Sequence, residues 1–236
     1  LSGLSQAVPA LQVGAFACER TLLAAARGLA GYTLSELSYA VGIELPDAPR
    51  RDKGFIGRIA ERALGLYPVP GVQPAATDFE ALGVELKTLP VNARLRPRES
   101  TFVCYVKLGT LTEVPWEQSR VALKLTRVLF LPVESVGELA FGERRIGRAF
   151  LWSASAEQTE VLREDYAELG RRVLDGHAEA LDARVGRALQ LRPKAAHGGV
   201  RVRSTDGDGI PWRLTPRAFY LRAGFTEQLL RAALED

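Results

Sequence analysis

The chain has 236 residues, 47% hydrophobic and 25% charged, which is enough apolar material for one domain, or one domain in two lobes, around a sizeable core. A formal net charge of +3 permits nucleic acid as a partner without demanding it. No apolar run approaches bilayer length and no signal-peptide pattern opens the chain. Two cysteines (Cys18, Cys104) and two histidines (His177, His197) argue against a disulfide framework or a structural zinc site, so a soluble protein of a reducing cytoplasm is expected.

Residues 11–30 are apolar-rich but interrupted by Glu19, Arg20 and Arg27, as in an amphipathic helix. Thr33 with Glu36 forms a capping box that starts a helix at Leu34, and Gly42 and Pro46 close it. A second helix is predicted over 54–64, with Phe55, Ile59 and Ala63 on one face and Glu61 on a neighbouring one. Pro68, Pro70 and Pro74 punctuate a loop ahead of Asp78. Apolar alternation over 84–91 predicts a strand. A second strand over 101–108 would run antiparallel to it if the intervening loop with Arg94, Arg96 and Arg98 is a hairpin. Pro115 and Trp116 open a helix through Leu125, and short strands are expected at 128–133 and 146–152. Residues 156–174 make the longest helix, acidic early and arginine-rich late, as the helix dipole favours. Strands follow at 189–194 and 218–222. The segment between them, with Gly198, Gly199, Gly207 and Gly209, reads as a mobile loop, and Thr226 as the cap of a last helix. Strands mixed with helices indicate an α/β fold with a mixed central sheet.

Asp78, Glu85 and Lys87 stand out. Side chains on a strand change face at every residue, so Glu85 and Lys87 share a face, with Asp78 on the turn leading in. Two carboxylates can hold a hard divalent cation through oxygen, and a lysine beside them can orient water and counter developing negative charge. The same triplet also suits an ion pair on a solvated strand face after a turn-forming aspartate. Arginine clusters at 144–148, at Arg192 with Lys194, Arg201 and Arg203, and at Arg213, Arg217 and Arg222 suit either a solubilising surface or a phosphate-gripping arm.

Ordered blocks carry a more specific signal: GYTLSEL (31–37), RDKGFIG (51–57), DFEALGVELKTLPV (78–91), TFVC (101–104), LKLTRVLFLPVE (123–134), LWS (151–153), REDYAEL (163–169), LQLRPKAA (189–196) and RAFYLRAGFT (217–226). In these blocks the chain resembles the MutH family of methyl-directed mismatch-repair endonucleases, within the PD-(D/E)xK nuclease superfamily. The resemblance spans nearly the whole chain, apart from the first thirty or so residues and 198–214. It implies a restriction-endonuclease-like fold whose two lobes form a DNA cleft, a catalytic lobe over roughly 1–125 and a recognition lobe over roughly 126–236. Asp78, Glu85, the backbone carbonyl of Leu86 and Glu61 would be metal ligands for one or two Mg²⁺ ions, with Mn²⁺ able to substitute. Lys87 would position the attacking water, and Lys53 and Lys124 would line the same site. Phe102, Arg192, Pro193, Lys194 and Tyr220 would face DNA. The implied activity is nicking of the unmethylated strand at hemimethylated GATC sites by a monomer, activated by the mismatch-repair protein MutL. A stand-alone GATC restriction enzyme of the same fold and a non-catalytic DNA-binding module are the alternatives. Where the family usually carries adjacent lysines after the tyrosine block, this chain has Leu221-Arg222-Ala223-Gly224, a departure that implies one phosphate contact fewer and a weaker hold on DNA.

Overall fold

The computed structural model describes residues 16–47, 54–67, 76–106, 111, 113–181, 184–194, 201–205 and 211–235. Helices α1 (Glu19–Gly28), α2 (Leu34–Val41) and α3 (Phe55–Ala63) precede strands β1 (Glu85–Val91) and β2 (Thr101–Tyr105). Then come α4 (Arg120–Leu125), β3 (Val128–Glu134), β4 (Phe150–Trp152) and α5 (Ala156–Leu174). Strands β5 (Leu189–Pro193), β6 (Val202–Thr205), β7 (Pro211–Leu214) and β8 (Arg217–Leu221) lead to α6 (Ala223–Glu235). This is a mixed α/β fold. No described helix is long and apolar enough to cross a membrane. The described residues divide into two compact units, one up to Arg98 with Arg127–Trp152, the other Glu99–Thr126 with the chain from Ser153 onward. The units interleave, whereas the sequence places one boundary near residue 125. The reason is pairing: β3 and β4 join β1, while β2 joins strands of the later chain.

In the first unit β3 lies between β1 and β4. It runs parallel to β1, in register from Glu85 opposite Val128 to Val91 opposite Glu134, and antiparallel to β4. A strand covered on both faces reads as an unbroken apolar run, and Val128 to Val133 are all buried. Leu129, Leu131 and Val133 enter a core with Leu22 of α1, Leu37 of α2 and Ile59 of α3. Phe130 instead stacks on Phe150 at 5.2 Å. The Thr33 capping box is present, and Gly42 ends α2 in the left-handed region at φ 67°.

Several expectations are corrected here. The return after β1 stops at one bridge, Val91 to Pro97, and the strand at 101–105 pairs with β8 rather than with β1. Local contiguity suggested a hairpin, and a short one forms, its turn held by Asn92 Oδ1, which accepts the N–H groups of Arg94 and Arg96, but the return pairs only as far as Arg98, whose N–H reaches the Pro90 carbonyl. The helix expected from Pro115 breaks into a 3₁₀ turn at Trp116–Gln118 and α4, because the Ser119 hydroxyl accepts the Ala122 N–H and caps a new start. The strand over 146–152 shortens to Phe150–Trp152, with Ile146 making a single bridge to Val133. Thr226 lies inside α6, where its hydroxyl donates to the Ala223 carbonyl at 3.1 Å, so it is not a cap. Part of the glycine-rich segment forms the β6–β7 hairpin.

The second unit holds an antiparallel sheet in the order β2-β8-β5. One face packs on α5, where Phe219 stacks on Tyr166 at 5.6 Å. The carboxylate of Asp165, buried on α5, accepts the N–H groups of Arg187, Ala188 and Leu189 at 2.7–2.9 Å and fixes the entry to β5. The turn before it needs Gly186, at φ 87°, where a Cβ would lie 1.9 Å from the Leu189 carbonyl oxygen.

Candidate active site and nucleic-acid interface

In the first unit the chain folds back just ahead of β1. Phe79 and Val84 exchange backbone hydrogen bonds, closed by Gly83 in the left-handed region at φ 64°. Glu85 donates its N–H to the Arg127 carbonyl on the β3 side. The next N–H, of Leu86, therefore points to the free edge of β1, and Asp78 Oδ2 accepts it at 2.8 Å. This clip sets Asp78 beside the strand that carries Glu85 and Lys87. Glu85 is only 2% exposed, and Lys87 Nζ lies 2.6 Å from its Oε1. Burial of a carboxylate is costly unless a partner compensates its charge, and Lys87 is that partner here.

Helix α3 brings Glu61 to the same place. Burial holds its carboxyl above the usual glutamate range, the charge of Asp78 adds to the rise, and Lys87 and Arg58 oppose it. Glu61, Asp78, Glu85 and Lys87 therefore interact as one electrostatic group. Arg58 was not singled out in the sequence, although its place one turn before Glu61 is the spacing that lets helix side chains meet. Among the described residues no three acid, imidazole or thiol groups converge as a ready metal-ligand set. The donors present are hard oxygens that repel one another, and a divalent cation relieves that repulsion, so their chemistry fits an oxygen-preferring ion. Lys124 is buried in the last turn of α4, in the second unit, and Lys53 lies outside the described residues.

Phe102, Arg192, Lys194 and Tyr220, expected to face DNA, gather on the face of the β2-β8-β5 sheet opposite α5, whereas alternation puts Pro193, opposite Arg217, on the α5 side. Register places Phe102, Tyr220 and Gln190 in one row across the three strands. The Phe102 and Tyr220 rings meet edge to face at 5.6 Å. Arg192 stands over Tyr220 at 5.6 Å and Lys194 over Phe102 at 4.7 Å, both within cation–π range. Pro193 ends β5 between them. Burial raises the Tyr220 phenol above its ordinary value, and the Arg192 charge counters it. The sequence did not single out Gln190, which is buried and hydrogen-bonded to Ser100, or Tyr105, whose ring lies 5.5 Å from Phe102.

Residues 71–165 match the family model of the DNA mismatch repair enzyme MutH. The chain is 46% identical over 214 residues to the DNA mismatch repair protein MutH of Salmonella typhi, an alignment that covers 91% of each. The same identity and coverage hold for the MutH proteins of Salmonella paratyphi B and Salmonella enteritidis PT4. Likeness of this extent, over nearly the whole of both chains, places the protein in the MutH family of DNA mismatch repair enzymes.

Proposed function

We propose that this chain is a divalent-metal-dependent endonuclease that nicks the unmethylated strand of DNA at hemimethylated GATC sites during mismatch repair. The observation that carries this reading is the clipped group of Asp78, Glu85 and Lys87, with Glu61 beside it, in a chain of the MutH family. Asp78, Glu85, Glu61 and the Leu86 carbonyl would hold Mg²⁺, or Mn²⁺ in its place. The ion, when bound, would offset phosphate charge and make water more acidic.

The protein's own groups do the rest. Asp78 stays fixed through the Leu86 N–H, so its second oxygen keeps its direction. Lys87 presents its ammonium protons to a water in line with phosphorus, and Glu85 keeps that ammonium in place. Water forms a new P–O bond as the bond to the departing nucleotide oxygen breaks; the water gives up a proton to solvent and the departing oxygen takes one from solvent, with no covalent enzyme intermediate. Lys53 and Lys124 belong to the same reading as cations for the scissile phosphate.

In the second unit, Arg192 and Lys194 match the O6 and N7 acceptors of guanine in the major groove. Tyr220, packed against Phe102, senses whether the adenine amino group carries a methyl. One catalytic group per chain suits a monomer that cuts one strand, and activation by MutL suits an enzyme that waits for a repair signal. The free thiols of Cys18 and Cys104 suit a cytoplasmic protein.

Mapping nicks on unmethylated, hemimethylated and fully methylated GATC duplexes with Mg²⁺, with and without MutL, tests this. Single-strand cuts confined to unmethylated strands and stimulated by MutL are expected. Robust double-strand cleavage without a partner contradicts the reading in favour of a restriction enzyme.

A further inference from the structure

Regular alternation along β2 would put Phe102 and Tyr105, three residues apart, on opposite faces of the sheet. They are on the same face. The ladder between β2 and β8 slips by one residue: Phe102 faces Tyr220, Cys104 faces Phe219 and Tyr105 faces Ala218. Val103 is the extra residue of this bulge, and both it and Cys104 are buried. A bulge interrupts ladder pairing and re-aims the side chains that follow. Here it turns Tyr105 onto the face of Phe102 and Tyr220.

The neighbours give that placement a meaning. Arg192, Ala218 and Tyr105 form the row next to Gln190, Tyr220 and Phe102. Ala218, the small residue at its centre, is fully buried, so Tyr105 and Arg192 flank it on one face. Tyr105 packs edge to face on Phe102 yet remains 59% exposed. Single exposed aromatics are ordinary. This one completes a cluster of three rings that already holds two cations at cation–π distance. Aromatic rings beside arginine and lysine are the combination with which proteins grip nucleotides, the cations drawing phosphate and the rings covering sugar and base.

We propose that Tyr105 is a DNA-contacting residue, its ring extending the Phe102–Tyr220 surface to lie against a nucleotide of the bound duplex. The inference rests on the endonuclease reading and adds a residue to its DNA interface. The contact belongs to the ring rather than the hydroxyl, and it carries no charge.

Fluorescence anisotropy with a labelled hemimethylated GATC duplex and Ca²⁺ in place of Mg²⁺, over a series of salt concentrations, tests it. Tyr105→Ala is expected to bind about tenfold more weakly. Tyr105→Phe is expected to stay close to the parental chain, and both should keep the parental dependence of affinity on salt. A merely structural role would displace Arg192 and Lys194 and flatten that dependence. Parental affinity in Tyr105→Ala, while Tyr220→Ala binds weakly, overturns the assignment of Tyr105 alone, as does a flattened salt dependence. A parental chain that binds no duplex overturns the endonuclease reading and the inference with it.

Discussion

Asp78 and Asp165 perform one local task in the two units with different consequences. Each accepts backbone N–H groups and so fixes a strand that carries functional side chains. Asp165 is buried and takes three N–H groups at the entry to β5, so its oxygens are committed to the fold. Asp78 is half-buried, and its Oδ2 accepts the Leu86 N–H at 2.8 Å. The same residue type thus clamps a strand entry in one unit and, in the proposed function, serves as a held metal-binding acid in the other.

Substitutions can break this comparison. Asp78→Asn keeps an oxygen for the Leu86 N–H but removes the charge. Single-turnover nicking should fall at least about a hundredfold while the melting temperature stays near the parental value. Asp165→Ala should do the reverse. It leaves three backbone N–H groups without their acceptor, and urea denaturation should register a loss of about 3 kcal/mol or more. A loss below about 1 kcal/mol would mean that water replaces the carboxylate there.

Two smaller effects set the acidic group of one unit against the cationic face of the other. Arg192→Ala should weaken binding by about 1–3 kcal/mol and reduce the slope of log affinity against log salt by about one, measured by anisotropy. The Glu61 carboxyl titrates above its unfolded value. It therefore contributes stability that is complete below the ordinary glutamate range and is lost as pH rises through its folded value. In metal-free buffer, urea unfolding of the parental chain should show that loss, and Glu61→Gln should not. Parallel pH profiles would contradict the burial of Glu61 among these charges.

The closeness of Asp78, Glu85 and Lys87 was legible because they lie within ten residues of one another, the last two on a strand whose alternation gives them one face and Asp78 on the turn leading in. Helices α2 and α5 were legible for a similar reason, since the Thr33 capping box marks the start of one and the acidic-to-basic run along 156–174 marks the other. Long-range pairing was not. Nothing near residue 101 shows that β2 pairs with a strand more than a hundred residues later, and contiguity pointed to β1 instead. The β6–β7 hairpin was hidden by glycines that signal loop and turn alike. Tyr105 was missed because alternation places it on the wrong face, and only the one-residue slip at Val103 reverses that. The face that gathers Phe102, Arg192 and Tyr220 from three strands depends on register, which composition and spacing along one strand do not encode.

The central claim is that Lys87, held by Glu85 beside Asp78, serves hydrolysis and not DNA binding. The most direct test compares Lys87→Ala with the parental chain on one hemimethylated GATC duplex, measuring single-turnover nicking with Mg²⁺ and affinity by anisotropy, with circular dichroism to confirm the fold. Nicking is expected to be abolished and affinity retained. Nicking at the parental rate would contradict that claim.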